Sequence, residues 1–493
     1  MSANFIDLHN GQTPPVYKFF VNGQWQVSKT QNYLEIHSPI DNSIIGVVPS
    51  VTKEEAEMSI ESAKDAQKAW EELPIYERVD LLHKVALLIK ENANYLRDLI
   101  ILEIGKPFAE AEEEALRTAD LIDYYAEEGR RLVGDVWDSS AYPGTKRNKI
   151  AISRRVPLGV VLAIPPFNYP INEGAPKIVG ALVSGNTVVL KPSTQGAISS
   201  LHMVELFHAS GLPPGVLNCV TGKGEDVGDF LVTHKQVAAI NLTGSYETAE
   251  LVAKKAGMKK LLFGLSGKDA SIVLADCDQD IAAEEIAKGS FSYGGQRCTG
   301  IKRVMVEEKI HDEFVKKLVA VVKKKYILGD PRIKTNTLGP LVDDKTAIYV
   351  QELLDDALNL GAKLILGGKK EERFMEATIL TEVTKKMRIA WEEPFGPLLP
   401  VMKIRDWQEA VSLANQSEYG LQSSIFTKNL DNAWAVANAL EVGSIQINGK
   451  DARGPDHFPF TGFKHSGLGM VQGAKYLIGE LTRYKTIVMN TKT

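Results

Sequence analysis

The sequence predicts an α/β protein built from two such domains, and three observations carry that reading. Short apolar runs alternate with helix-length segments at a spacing of roughly 20 to 30 residues between positions 160 and 275, the texture of a parallel sheet with crossover helices. A second alternating series begins near Arg303 and runs to about residue 448, which sets a boundary near 265–270. At 493 residues the chain is also too long for one ordinary core.

Along the chain, VYKFFVNGQWQV predicts a hairpin with Asn22-Gly23 as its turn dipeptide. Thr52 and Glu55 form a capping-box signature. Ala56, Ile60, Ala63, Ala66 and Trp70 then recur at helical intervals. Helical pattern resumes from Pro74 to Gly134 with a break at Gly105-Lys106-Pro107, and its charged positions are expected to form a solvated face. The strands VVLAI, TVVL, VLNCV, AAINLTG and SIVLA follow, and RVMVEE opens the second series. The final TRYKTIVMN alternates like a strand with no obvious core left to receive it, so it reads as a strand donated to a neighbouring subunit. No internal repeat or low-complexity tract interrupts the order.

Composition narrows the class. The chain is 44 % apolar and 24 % charged, with 57 basic against 62 acidic residues and a net charge of −5, which gives no electrostatic reason to expect nucleic acid or an anionic membrane. Three cysteines make no disulfide framework and point to a reducing, cytoplasmic setting. Nine scattered histidines show no metal-ligand spacing, so no metal is expected. The segment MSANFIDLHNGQTPP lacks the order of a signal peptide, and no apolar run reaches the ~20 residues of a membrane span.

Chemistry-bearing residues lie where strands end. Cys219 and Cys277 sit in buried-strand patterns and read as small apolar residues. Cys298, in YGGQRCTG, has flexible backbone around it and Arg297 directly before it, a setting expected to favour a thiolate nucleophile. Asn168, between prolines in PPFNYP, follows the strand VVLAI at a sheet's carboxyl edge and offers an amide to a developing oxyanion. Lys191 ends the strand TVVL and suits a phosphate or ribose. The glycines of GKGEDVGD are only a loose relative of a nucleotide loop. In NLTGSYETAE, Thr243-Gly244-Ser245 ends a strand where a helix begins, an anion site suited to a pyrophosphate.

Taken in order, PFNYP, LKPS, LTGS, GQRC, EEPFGP and PFTGFKHSG resemble the aldehyde dehydrogenase superfamily over nearly the whole chain. The resemblance implies two doubly wound α/β domains plus a small β oligomerisation domain. It would place dinucleotide binding in residues 1–138 and 159–264, catalysis in 265–477, and assembly into a homotetramer (a dimer of dimers) in 139–158 and 478–493. It implies that Cys298 attacks an aldehyde, that Asn168 and a backbone N–H hold the oxyanion, and that water hydrolyses the resulting thioester. Glu393 and Phe395 match nicotinamide-side contacts. Lys191, Thr194, Asp229, Thr243, Gly244, Ser245 and Leu265 match the rest of the cofactor site. NAD-preferring members commonly carry a Glu where this sequence has Thr194, so NADP is favoured over NAD.

Within the family the sequence is most similar to the non-phosphorylating glyceraldehyde-3-phosphate dehydrogenases. Arg117 in LRTAD, Tyr169 in FNYP, Arg297 in QRC and Arg453 in ARGPDHFPF match their substrate-phosphate contacts, with Thr299 beside them. Three guanidiniums and a phenol in one pocket call for a dianion, so the expected substrate is the small phosphorylated aldehyde glyceraldehyde 3-phosphate, oxidised to 3-phosphoglycerate, with another small aldehyde as the alternative. One departure matters most. The family's general-base Glu is Gly264 here, in Gly264-Leu265-Ser266-Gly267-Lys268. Losing a general base typically costs ~10²- to 10⁴-fold, so slow deacylation is expected. Another base or a water chain, another acyl acceptor such as coenzyme A or phosphate, an alteration that traps the thioester, and a role mainly in binding all remain open from sequence. Ser266 and Ala249 are lesser departures.

Overall fold

The computed structural model describes residues 6–7 and 14–491; the remaining residues, including most of the segment read for a signal peptide, lie outside it. An eight-stranded sheet places its strands in the spatial order Gly467–Leu468, Lys260–Gly264, Val237–Thr243, Val160–Ile164, Thr187–Leu190, Leu217–Cys219, Phe19–Val21 and Gln24–Gln26. The five central strands are parallel. The chain builds outward from Val160–Ile164 on one side, then returns to lay Val237–Thr243 on the other. The gap between those two strands at their carboxyl ends is therefore a topological switch point, where open α/β sheets hold ligands. The predicted hairpin forms the far edge. Asn22 and Gly23 both take positive φ (51° and 73°), as a two-residue turn of this twist requires.

A second, seven-stranded sheet runs Lys363–Leu366, Thr378–Thr381, Leu398–Ile404, Arg303–Glu307, Ala270–Val273, Gln422–Phe426 and Ser444–Ile447, parallel except for its first pair. These two sheets, each with its own buried apolar clusters, are the two expected α/β units. The segment expected to be catalytic, 265–477, does not stay with the second sheet throughout. Gly467–Leu468 pairs antiparallel with Gly264, and Met470, Ala474, Leu477 and Ile478 bury in the first unit's core.

The helix Lys53–Glu72 carries the full predicted capping box. Glu55 N–H donates to Thr52, and the Glu55 carboxylate accepts the Thr52 N–H. The next stretch is three helices, Ile75–Glu91, Ala93–Ile104 and Phe108–Gly129, with a kink at Asn92 beside the expected break at Gly105, whose φ is 65°. The expectation of a solvated charged face fails for part of it: Glu103, Lys106 and Glu114 are buried. Glu103 satisfies the N–H groups of Gly196, Ile198 and Ser199 at the start of another helix, so burial costs it no hydrogen bonds.

The C-terminal strand Thr482–Asn490 joins the 139–158 segment in one small sheet, as the resemblance groups them. It pairs along its whole length with Lys149–Pro157 of its own chain, which in turn pairs with Val136–Asp138. This three-stranded sheet stands apart with Tyr484, Ile487, Val488 and Met489 exposed. Among the described residues, no helix is long and apolar enough to cross a membrane, and no cluster of His, Cys, Asp and Glu could hold a metal ion.

Candidate active site

One cavity of about 1970 Å³ runs from the switch point of the first sheet to the Cys298 loop, and nearly all the predicted site residues line it. Pockets for single small ligands typically measure ~300–1000 Å³, so this one is roomy enough for a dinucleotide and a second molecule.

At one end, Lys191 is buried on the cavity wall. Among the described residues its Nζ reaches only the Pro192 carbonyl, at 3.4 Å. Burial brings its pKa down to about 8. A buried cation short of partners, with Thr194 beside it instead of a carboxylate, fits a ligand phosphate. Ser245 caps the helix Tyr246–Ala256 by accepting the Thr248 N–H, so the dipole's positive end faces the same space. Asp229 lies on the rim, paired with Lys255 at 2.6 Å. Gly244 N–H bonds the Gly264 carbonyl and Leu265 N–H bonds the Ser466 carbonyl, which fixes these strand ends as the cavity floor.

At the other end, the turn Ser292–Gly295 delivers Cys298. Tyr293, Gly294 and Gly295 all have positive φ, and a Cβ at Gly295 would strike the Gly396 carbonyl, so only glycine lets the loop lie against the EEPFGP segment. Tyr293, the non-glycine in this bend, is tied down by its hydroxyl donating to the Ile104 carbonyl (3.0 Å) and its N–H donating to Glu110 (2.7 Å). Asn168 Nδ2 donates to the Gln296 carbonyl at 2.8 Å, which holds the amide against the cysteine loop. The amide has two N–H groups, so one is left beyond this bond, and Asn168 lines the cavity.

The cysteine itself corrects an expectation. Arg297 does not favour a thiolate at its neighbour. Its guanidinium turns away to Ser292 Oγ (2.7 Å) and Thr299 Oγ1 (3.4 Å). Burial, then the negative charge of Glu173, push the Cys298 thiol up to about 11, against the opposing pull of Lys302. The resting nucleophile is a thiol. Burial likewise raises Cys277, to about 11, and Cys219 further, as their apolar reading requires. Glu393, matched to a cofactor contact, pairs with Lys302 at 3.0 Å. Phe395 meets Phe167 edge-on at 5.8 Å.

The predicted phosphate contacts converge. Arg117 makes a two-pronged bond to Asp456, 2.6 Å on each side. Arg453 pairs with Glu173 and its Nη2 lies 3.4 Å from Asp456, while its buried Nε has no partner among the described residues. Arg297 has no carboxylate within ion-pair distance among the described residues, and the Tyr169 hydroxyl is kept neutral by burial. Among the described residues, Arg453 Nε thus keeps an N–H without a partner, and Arg297 keeps a charge bonded only to hydroxyls.

Sequence reasoning missed four buried contributors. Lys106 pairs with Glu114, donates to the Asn168 carbonyl (2.7 Å) and lies over the Tyr169 ring at 3.7 Å. Glu114 accepts the N–H groups of Ile171 and Asn172. Glu173 and Lys177, one turn apart, reach Thr243 and Arg453. Their signal was weak. Glu114 and Lys177 read as charges on a helix, Lys106 as part of a helix break and Glu173 as a residue preceding a helix, and none of these shows burial before packing is known.

The chain matches the aldehyde dehydrogenase family over residues 25–487. It is 45 % identical over 474 residues to the NADP-dependent glyceraldehyde-3-phosphate dehydrogenase of Streptococcus equinus, covering 96 % of this chain and 98 % of that one. With the enzyme of the same description from Arabidopsis thaliana it shares 43 % identity, over 99 % of this chain and 98 % of that one. Among solved structures, the NADP complex of an NADP-dependent glyceraldehyde-3-phosphate dehydrogenase from Bacillus halodurans C-125 superposes with a TM-score of 0.95 at 45 % identity, over 96 % of this chain and 99 % of that one.

Proposed function

The chain belongs to the aldehyde dehydrogenase family, and from that premise we propose that it oxidises glyceraldehyde 3-phosphate to 3-phosphoglycerate with NADP. The buried Nε of Arg453, with no hydrogen-bond or ion-pair partner among the described residues, carries the choice of a phosphorylated substrate. Leaving such a donor unpaired costs ~1–3 kcal/mol, a cost that a phosphate in the pocket removes. Arg297 supplies a second guanidinium with no carboxylate paired to it among the described residues, and Arg117, Tyr169 and Thr299 complete the wall.

In this reading Cys298 loses its thiol proton to solvent as Sγ adds to the aldehyde carbonyl, while Asn168 and a backbone N–H of the cysteine loop hold the oxyanion. Bound NADP would supply the acceptor for the hydride that leaves the substrate carbon. Lys191 and Thr194 hold its 2′-phosphate end. Thr243, Gly244, Ser245, Asp229 and Leu265 line its middle, and Glu393 and Phe395 its far end. Cys298 is left carrying an acyl thioester, which water must cleave. The apolar face of the three-stranded sheet supports assembly into a homotetramer, and the free cysteines suit the cytoplasm.

Following NADPH absorbance with glyceraldehyde 3-phosphate and with unphosphorylated glyceraldehyde tests the proposal. The expected kcat/KM ratio is at least ~10², since each charge-assisted bond contributes ~1.5–3 kcal/mol. Arg297→Met should shrink that ratio at least ~10-fold by the same measure. Equal rates for the two aldehydes would refute phosphate recognition.

A further inference from the structure

Gly264 leaves thioester hydrolysis without its usual base, and the surroundings of that glycine show what has replaced it. Thr243 lies opposite Gly264 in the parallel pair of strands. A side chain starting from Gly264 would stand 3.5 Å from Thr243 Oγ1 and 3.7 Å from Gln472 Nε2. Its path is now filled by the methyl end of Met470. Both of those polar atoms are already engaged by one carboxylate. Glu173 Oε2 accepts from Thr243 Oγ1 and from Gln472 Nε2, each at 3.3 Å.

Glu173 arrives from a different element, the N-cap of the helix Gly174–Val183, immediately after the Asn168 turn. It nevertheless brings Oε2 to the two polar groups nearest a Cβ at position 264. It lies on the cavity wall, and its charge acts directly on the Cys298 thiol. An uncompensated carboxylate so deep would be costly, and Arg453 and Lys177 keep this one ionised.

We infer that Glu173 is the general base for hydrolysis of the Cys298 thioester, standing in for the carboxylate absent at 264. The inference rests on the dehydrogenase reading above. A Glu173 oxygen takes a proton from water as the water oxygen bonds to the thioester carbon. The tetrahedral oxyanion then collapses with loss of the C–S bond. The proton held by Glu173 passes to the departing thiolate, and the new carboxylic acid releases its own proton to solvent.

Rapid mixing with NADP and glyceraldehyde 3-phosphate separates the steps. Wild type should show steady NADPH production with little burst. Glu173→Gln should keep a first-turnover burst near one NADPH per site and then run ~10²- to 10⁴-fold slower, with the acyl-enzyme mass visible by intact-protein mass spectrometry. Adding Gly264→Glu to that variant should recover at least tenfold of the steady rate once the Met470 tip swings aside. Independently, formate should accelerate the steady phase of Glu173→Ala. A steady rate for Glu173→Gln within threefold of wild type overturns the assignment. So does a first turnover that falls in step with the steady rate, since that would make Glu173 only a counterion for Arg453. No NADPH from wild type in the first turnover would remove the dehydrogenase reading itself, and the assignment with it.

Discussion

Replacing Lys106 by Met should loosen the turn that carries Asn168 without touching the cavity. Lys106 and Glu114 form an ion pair with neither side chain exposed. The ammonium also holds the Asn168 carbonyl, and the carboxylate holds the N–H groups of Ile171 (3.3 Å) and Asn172 (3.2 Å). The pair is therefore a clamp on residues 168–172. Removing one partner of a buried pair costs ~3–5 kcal/mol, because the other charge is left uncompensated. Were ~3 kcal/mol of that taken from local opening of the turn, amide exchange there would speed up ~10²-fold at ~1.4 kcal/mol per tenfold. Hydrogen exchange followed by mass spectrometry on a peptide spanning 166–173 measures it. Glu114→Gln keeps an oxygen for both N–H groups and should cost less. Lys106→Met/Glu114→Gln should exchange more slowly than Lys106→Met alone, since no unpaired charge remains. Exchange in Lys106→Met within tenfold of wild type would refute the clamp, as would a double variant looser than the single one.

Two further outcomes follow from the site. Asn168→Ala should slow the first turnover ~10²- to 10³-fold while leaving NADP affinity within about twofold, because the amide faces the cysteine loop and not the dinucleotide end; a loss of NADP binding would contradict that geometry. Lys191, with its pKa lowered by burial to about 8, is charged below that pH and neutral above it. NADP binding should favour the charged form, so its Kd should be flat up to about pH 8 and then rise by as much as tenfold per unit. NAD, without the 2′-phosphate, should show a shallower rise, and a flat NADP titration to pH 9.5 would exclude Lys191 as the phosphate contact.

The strands were readable because buried parallel strands announce themselves as short β-branched runs such as Thr187–Leu190 and Ala270–Val273. The capping box at Thr52 and the turn at Asn22-Gly23 were readable because their chemistry is local. The charge network was not. Lys106, Glu114, Glu173 and Lys177 acquire their meaning from residues at positions 168, 243 and 453, contributed by other elements. Arg297 was misread for the same reason. Adjacency in sequence to Cys298 suggested a cation beside the sulfur, but neighbouring side chains in a tight loop diverge, and Arg297 points to Ser292. Periodicity alone could not give Thr482–Asn490 a partner, because Lys149–Pro157 lies more than 300 residues earlier; the family resemblance, which groups 139–158 with 478–493, does.

Substrate phosphate and base are joined through Arg453, which gives the site a property neither has alone. Burial pushes Glu173 up, but Arg453 and then Lys177 pull it below the ordinary carboxylate range, which makes it a poor proton acceptor at rest. Cys298 meanwhile is held as a thiol by burial and by that same carboxylate. A phosphate that draws on the Arg453 guanidinium weakens its hold on Glu173, so Glu173 becomes more basic only when a phosphorylated substrate is seated. The base is then tuned by the ligand it serves. Unphosphorylated glyceraldehyde should accordingly lose in kcat as well as in KM, and the acyl-enzyme should persist longer with it than with glyceraldehyde 3-phosphate. Adding inorganic phosphate or phosphite alongside glyceraldehyde should restore part of kcat. If the phosphate affected KM alone, with deacylation equally fast for both aldehydes, Arg453 would be an anchor and nothing more.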